Sequence, residues 1–118
     1  MKKINKIEEV KNKDVRLEDV EINRTFYWAY IRTQETTNEN LDFEDVIWES
    51  DVEGIIKNCK EFGLKEITIS SRFASLIDIL AEFEKQGAKL IGLTKVTTRF
   101  YACGTNQPEI INALKIEI

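Results

Sequence analysis

Hydrophobic and polar positions between Lys65 and Val96 fall into a strand, helix, strand unit with its turn chemistry in place. Glu66-Ile67-Thr68-Ile69-Ser70 is a short β-branched run, and Ser70-Ser71-Arg72 follows it as a predicted helix cap. Phe73, Leu76, Ile77, Leu80 and Phe83 then recur on one helical stripe. Gly87 ends that helix ahead of a second apolar run, Leu90-Ile91-Gly92-Leu93. The pattern predicts a fold class and leaves function open.

The same logic extends in both directions. Upstream, Ser50-Asp51-Val52-Glu53 matches a capping box, and Val52, Ile55, Ile56, Cys59 and Phe62 follow at helical spacing until Gly63 closes the helix. Before it, Arg24 to Thr33 is dense in aromatic and β-branched residues and predicts a strand. Leu41 to Trp48 is expected to return antiparallel to it. Downstream, Thr94 to Cys103 prolongs the strand begun at Leu90, residues 104–108 form a turn, and Leu114 to Ile118 alternates as a final strand. Ile4, Ile7 and Val10 predict a short amphipathic helix within a weakly helical extension, residues 1–20. The expectation is therefore one α/β (α+β) domain over 21–118. It has a mixed sheet of about five strands and two main helices, ordered β-β-α-β-α-β-β. Whether the helices share one face of the sheet is left open by the pattern. If the final strand lies at a sheet edge, Leu114, Ile116 and Ile118 offer a face for pairing with a second copy.

Composition narrows the class without changing this outline. A chain of 118 residues buries roughly 65% of its unfolded surface, enough for a core that needs neither disulfide nor metal. Hydrophobic residues at 42% and charged residues at 32% describe a soluble protein. The uncharged run around Phe26 to Ile31 is too short to span a bilayer. The opening residues, basic and then acidic, lack the apolar stretch of a signal peptide, so the expected compartment is cytoplasmic, with no membrane partner. Cys59 and Cys103 belong to no CxxC spacing and read as small apolar residues. The chain contains no histidine, which removes the commonest general base and metal ligand, together with every Ser/His or Cys/His nucleophilic pair. No catalytic residue, metal site or cofactor is predicted.

Several blocks taken together resemble a known group of proteins. They are Asp42-Phe43-Glu44-Asp45-Val46-Ile47-Trp48-Glu49, Asp51-Val52-Glu53, Cys59, Thr68-Ile69-Ser70-Ser71, Leu80-Ala81-Glu82-Phe83-Glu84 and Gly92-Leu93-Thr94-Lys95-Val96. In this order, over roughly residues 20–118, they resemble small uncharacterised proteins encoded on conjugative transposons and plasmids of Gram-positive bacteria, chiefly Firmicutes. The resemblance implies a mobile-element setting and supplies no activity or catalytic residues. The chain departs from that pattern at Ala102-Cys103-Gly104-Thr105, where the relatives carry a Trp-Gln-Thr-Gly turn.

Two features carry candidate chemistry. Ser70, Ser71 and Arg72 stand at the predicted carboxyl end of a strand and amino end of a helix, where unpaired amides and the helix dipole favour an anion. No acid follows until Asp78, and no glycine-rich loop or P-loop lysine accompanies them. The plainer reading is a serine cap beside a solvated arginine. The second feature is an acidic block. Between Thr33 and Ile56 lie eight acids and no lysine or arginine, so that with −4 overall the rest of the chain carries +4. Asp42, Phe43, Glu44, Asp45, Trp48 and Glu49 form the candidate partner-binding segment, suited to a basic host or element-encoded protein. Against it stands the ordinary solvated loop. With net negative charge and lysines scattered rather than clustered, direct nucleic-acid binding is disfavoured. The functional expectation is a non-enzymatic accessory or interaction protein of a mobile element. The alternative is a small anion- or phosphate-binding domain or enzyme with its pocket near Ser71, Arg72 and Lys95.

Overall fold

The computed structural model describes every residue except Phe73, Ala74, Ala102, Cys103 and Thr105. Its elements are α1 (Asn5–Lys11), α2 (Arg24–Thr33), β1 (Leu41–Phe43), α3 (Val52–Glu61), β2 (Glu66–Ile69), α4 (Leu76–Lys85), β3 (Lys89–Tyr101) and β4 (Pro108–Glu117). Short 3₁₀ turns lie at Leu17–Val20 and Glu49–Asp51. The described strands form one four-stranded mixed sheet, ordered β1-β2-β4-β3. β1 and β2 are parallel, β4 is antiparallel to β2, and β3 and β4 form a long hairpin.

Alternation on the strands decides how the layers lie. Leu41, Phe43, Ile67, Ile69 and Ile116 belong to a single buried cluster. In it they meet Ile7 and Val10 of α1, Phe26 and Tyr30 of α2, Ile55 and Cys59 of α3, and Ile79 and Phe83 of α4. All four helices therefore pack on one face, giving a two-layer α+β domain. The opposite face carries the alternate residues, Asp42, Thr68 and Lys115, in register with one another.

The largest departure from expectation is α2. Residues 24–33 were expected as a strand and form a helix. Asn23 decides this: its side-chain oxygen accepts from the Phe26 amide at 2.9 Å, capping the first turn. Phe26, Ala29, Tyr30 and Thr33 then face the core at helical spacing, so burial of that stripe overrides the β propensity of an aromatic run. With that segment helical, the sheet has four strands rather than five, and β1 is only three residues long.

Other elements shift in smaller ways. α3 starts at Val52 with no side-chain cap, so the expected Ser50/Glu53 capping box does not form, and Asp51 instead closes the preceding 3₁₀ turn. The Asp51 carboxylate accepts from the Trp48 amide at 3.0 Å, the Thr25 hydroxyl at 2.8 Å and the Asn23 amide group at 3.2 Å. α4 begins at Leu76, after Ser75 in a left-handed conformation, and not directly after Ser70-Ser71-Arg72. On that helix Ile79 and Phe83 are buried and Ile77 is 82% exposed. The buried stripe is thus rotated from the expected one, and Phe73 lies outside the described residues. β4 sits between β2 and β3, so it is no edge. The edges are β1 and β3.

The amino-terminal residues are part of the same packing. Ile7 is fully buried, the Ile4 amide donates to the Tyr30 hydroxyl at 3.0 Å, and Lys6 pairs with Glu61 at 2.7 Å. No helix among the described residues is long and apolar enough to cross a membrane.

Candidate functional site

The acidic segment splits along its length once folded. Asp42 and Phe43 lie in β1 and are buried, at 6% and 1% exposure. Glu44 and Asp45 are met by arginines that are distant in sequence. Arg99 donates to Glu44 through Nε at 2.9 Å and Nη2 at 2.7 Å and also reaches Glu35 at 3.3 Å, while Arg32 pairs with Asp45. The hydrogen bonds to Glu44 lead the interactions that raise the Arg99 pKa, holding it charged. A run that is uniformly negative in sequence is therefore partly neutralised in space.

Trp48 and Glu49 behave differently. Trp48 is 66% exposed and Glu49 is exposed, and neither Glu49 nor Glu53 has an ion-pair partner among the described residues. With Val46, Ile47, Ser75 and Ile79 they line a mainly apolar groove of about 540 Å³ between the 3₁₀ turn and the start of α4. The groove exists because Asp51 holds the Trp48 amide and turns the chain there, leaving the indole on the outside.

The Ser70 to Arg72 segment also divides. The Ser70 hydroxyl donates to Asp42 Oδ2 at 2.7 Å, and the Thr68 hydroxyl donates to Asp42 Oδ1 at 2.6 Å, so Ser70 is committed to a buried carboxylate. Burial raises the pKa of Asp42, opposed by these two hydroxyl bonds and assisted by nearby Glu44. The amides of Ser70 and Ser71 both donate to the Phe43 carbonyl, at 3.0 and 3.1 Å. The helix dipole argument does not apply at Ser71, because α4 starts five residues later. Ser71, Arg72 and Lys95 nevertheless line one open depression of about 550 Å³, together with Asn112 and Glu109.

Cys59 is buried against the core and its thiol is pushed up to about 12, which keeps it protonated at neutral pH. Cys103 lies outside the described residues. Among the described residues no group of three or more His, Cys, Asp or Glu is placed to hold a metal ion.

A sequence comparison matches residues 25–118 to DUF7698, a domain of unknown function. The chain belongs to this family. The DUF7698 match begins inside α2 and takes in the whole sheet, α3, α4, the Trp48 groove and the Ser71 depression. No curated protein and no solved structure matches the chain. Of the residues singled out from the sequence, Trp48 and Glu49 line the groove and Arg72 and Lys95 the depression, while Arg32 and Arg99 were not foreseen as partners of the acidic segment. Their pairing depends on α2 being a helix and on the reach of the β3–β4 hairpin, neither of which leaves a local signal.

Proposed function

We propose that this DUF7698 protein is a non-enzymatic interaction protein of conjugative mobile elements, and that it binds a basic protein segment in the groove beside Trp48. The mobile-element setting rests on the resemblance of residues 20–118. The observation that carries the interaction is the exposed Trp48 indole on an apolar groove rimmed by Glu49. Aromatic side chains at the centre of such grooves commonly dominate binding energy, and uncompensated acids favour a cationic partner. A partner presenting one apolar side chain flanked by lysine or arginine meets both demands. Direct binding to nucleic acid does not fit a net charge of −4.

Affinity capture from a host carrying the element tests this. A stoichiometric partner is expected, its bound segment rich in lysine or arginine and its affinity weakening with salt. Trp48→Ala and Glu49→Lys should each abolish capture. Retention of the partner by both variants overturns the reading. A second reading is supported by the convergence of Ser71, Arg72 and Lys95 on one depression: a site for a phosphate or carboxylate ligand. Shifts of the Ser71 and Arg72 amides on titration with inorganic phosphate support it, and their absence removes it.

A further inference from the structure

The outer edge of β3 is open for part of its length. Thr97 marks where the opening ends: its amide donates to Asn38 Oδ1 at 2.9 Å and its carbonyl accepts from Asn38 Nδ2 at 2.8 Å. Both Thr97 groups therefore point away from β4. Backbone groups on a strand alternate in direction with a period of two, so the N–H and C=O of Lys95 and Leu93 point outward as well. Among the described residues these four groups have no hydrogen-bond partner. Around them Leu93 is 76% exposed, Leu90 52% and Ile91 49%.

We propose that this edge is a self-pairing surface, joining β3 antiparallel to β3 of a second copy about a two-fold axis at Thr94. In that register Leu93 of each copy lies opposite Lys95 of the other. The four outward groups of one copy then match the four of its mate, completing four hydrogen bonds. Leu93 and the aliphatic stem of Lys95 share a face, so two of each form one apolar cluster across the axis.

Charge argues against the neighbouring register centred on Gly92. Lys89 and Lys95 are the only charges from residue 89 to residue 98, and placing the axis at Gly92 would set them opposite each other. With the axis at Thr94, Lys95 faces leucine, and pairing stops at Thr97, where Asn38 already occupies the edge. Exposed edges are usually protected by bulges and lysines. Here the irregularity between Leu90 and Gly92 ends before Leu93, so it bounds the open stretch rather than closing it.

The full chain, measured by light scattering and sedimentation over a concentration series, should approach twice 13.7 kDa. Its Leu93 and Lys95 amides should become protected from hydrogen exchange as dimer forms. Leu93→Lys sets two lysines opposite Lys95 of the mate and should weaken dimerisation at least about tenfold, the cost of one or two like-charge contacts. Because Leu93 is largely exposed, the variant should keep the wild-type circular dichroism spectrum. Adding Lys95→Glu to it makes opposite charges face each other and should restore the dimer. A mass of 13.7 kDa at the highest soluble concentration overturns the proposal. So does a folded Leu93→Lys variant that dimerises like wild type, or a double variant that gains nothing. The Trp48 groove is a separate surface, so partner capture should be unaffected by Leu93→Lys.

Discussion

Asp42 is the residue whose environment is most unlike its appearance in the sequence. It stands in an acidic run yet is buried, its carboxylate held by the hydroxyls of Thr68 and Ser70 while its backbone amide is held by the Thr33 hydroxyl at 3.0 Å. Among the described residues no cation is paired with it, so burial penalises the charged form and raises its pKa. The folded protein therefore binds this proton more readily than the unfolded chain does. The Asp42 contribution is unfavourable above its folded pKa, and it is relieved as pH falls through that value toward the unfolded value near ~3.9. Asp42→Asn keeps an acceptor for Thr68 and lets the Ser70 hydroxyl turn to accept. We expect it to match or exceed wild-type stability at neutral pH and to flatten the pH profile in that window, as measured by denaturant unfolding. Asp42→Ala leaves both hydroxyls without their acceptor and should cost about 1–3 kcal/mol. An Asn variant less stable than the Ala variant would contradict the assignment.

α2 shows what local pattern can and cannot reveal among the elements. α3 and β2 were legible because a hydrophobic period and its flanking residues agree in each, whereas β4 is legible only over its last residues and begins at Pro108, which the pattern places in a turn. In α2 the aromatic and β-branched content pointed to a strand while the spacing of Phe26, Ala29, Tyr30 and Thr33 pointed to a helix. Asn23 resolves the conflict by several contacts at once. It caps α2, donates its backbone amide to Asn58 Oδ1 at 2.8 Å and donates its side chain to Asp51 at the start of α3. Packing is tight enough there that a Cβ on Gly54 would sit 3.1 Å from the Asn23 side chain, which accounts for a glycine inside α3. Asn23→Ala should cost about 2 kcal/mol, at the upper end for a helix cap, because it also removes a partner of Asp51. Gly54→Ala should destabilise although alanine is the better helix former by roughly 1 kcal/mol. In the Asn23→Ala background the alanine at 54 still meets a Cβ but no longer the amide group. Its penalty there should shrink, and a thermal-melt double-mutant cycle would report the coupling.

Across the whole molecule, the β3–β4 hairpin is the element that ties distant parts of the chain together. From Thr97 onward, contacts among the described residues that hold it to the rest include Asn38, which satisfies the Thr97 backbone, and Arg99, whose guanidinium joins Glu44 and Glu35. Sequence could not show either contact, since each spans more than 50 positions and a long-range pair leaves no period to read. The same geometry explains why the sequence-level charge block is weaker as a surface than as a string. Glu44 and Asp45 serve the hairpin and α2, and the acid left on the groove is Glu49. Arg99 and Glu44 are each about a quarter exposed, so their pairing should couple by about 1 kcal/mol, above a fully exposed pair but reduced by solvent. Arg99→Ala and Glu44→Ala, combined in a cycle, should show that coupling at low salt and lose much of it at about 1 M, where the screening length falls to roughly 3 Å. Unfolding of the helical core should change little. Hydrogen exchange should quicken in β3 after Val96 and at the start of β4, because the hairpin end can open without exposing the cluster around Tyr30 and Ile55. Exchange that instead quickens uniformly across β2 and α3 would mean the Arg99 contact supports the core itself.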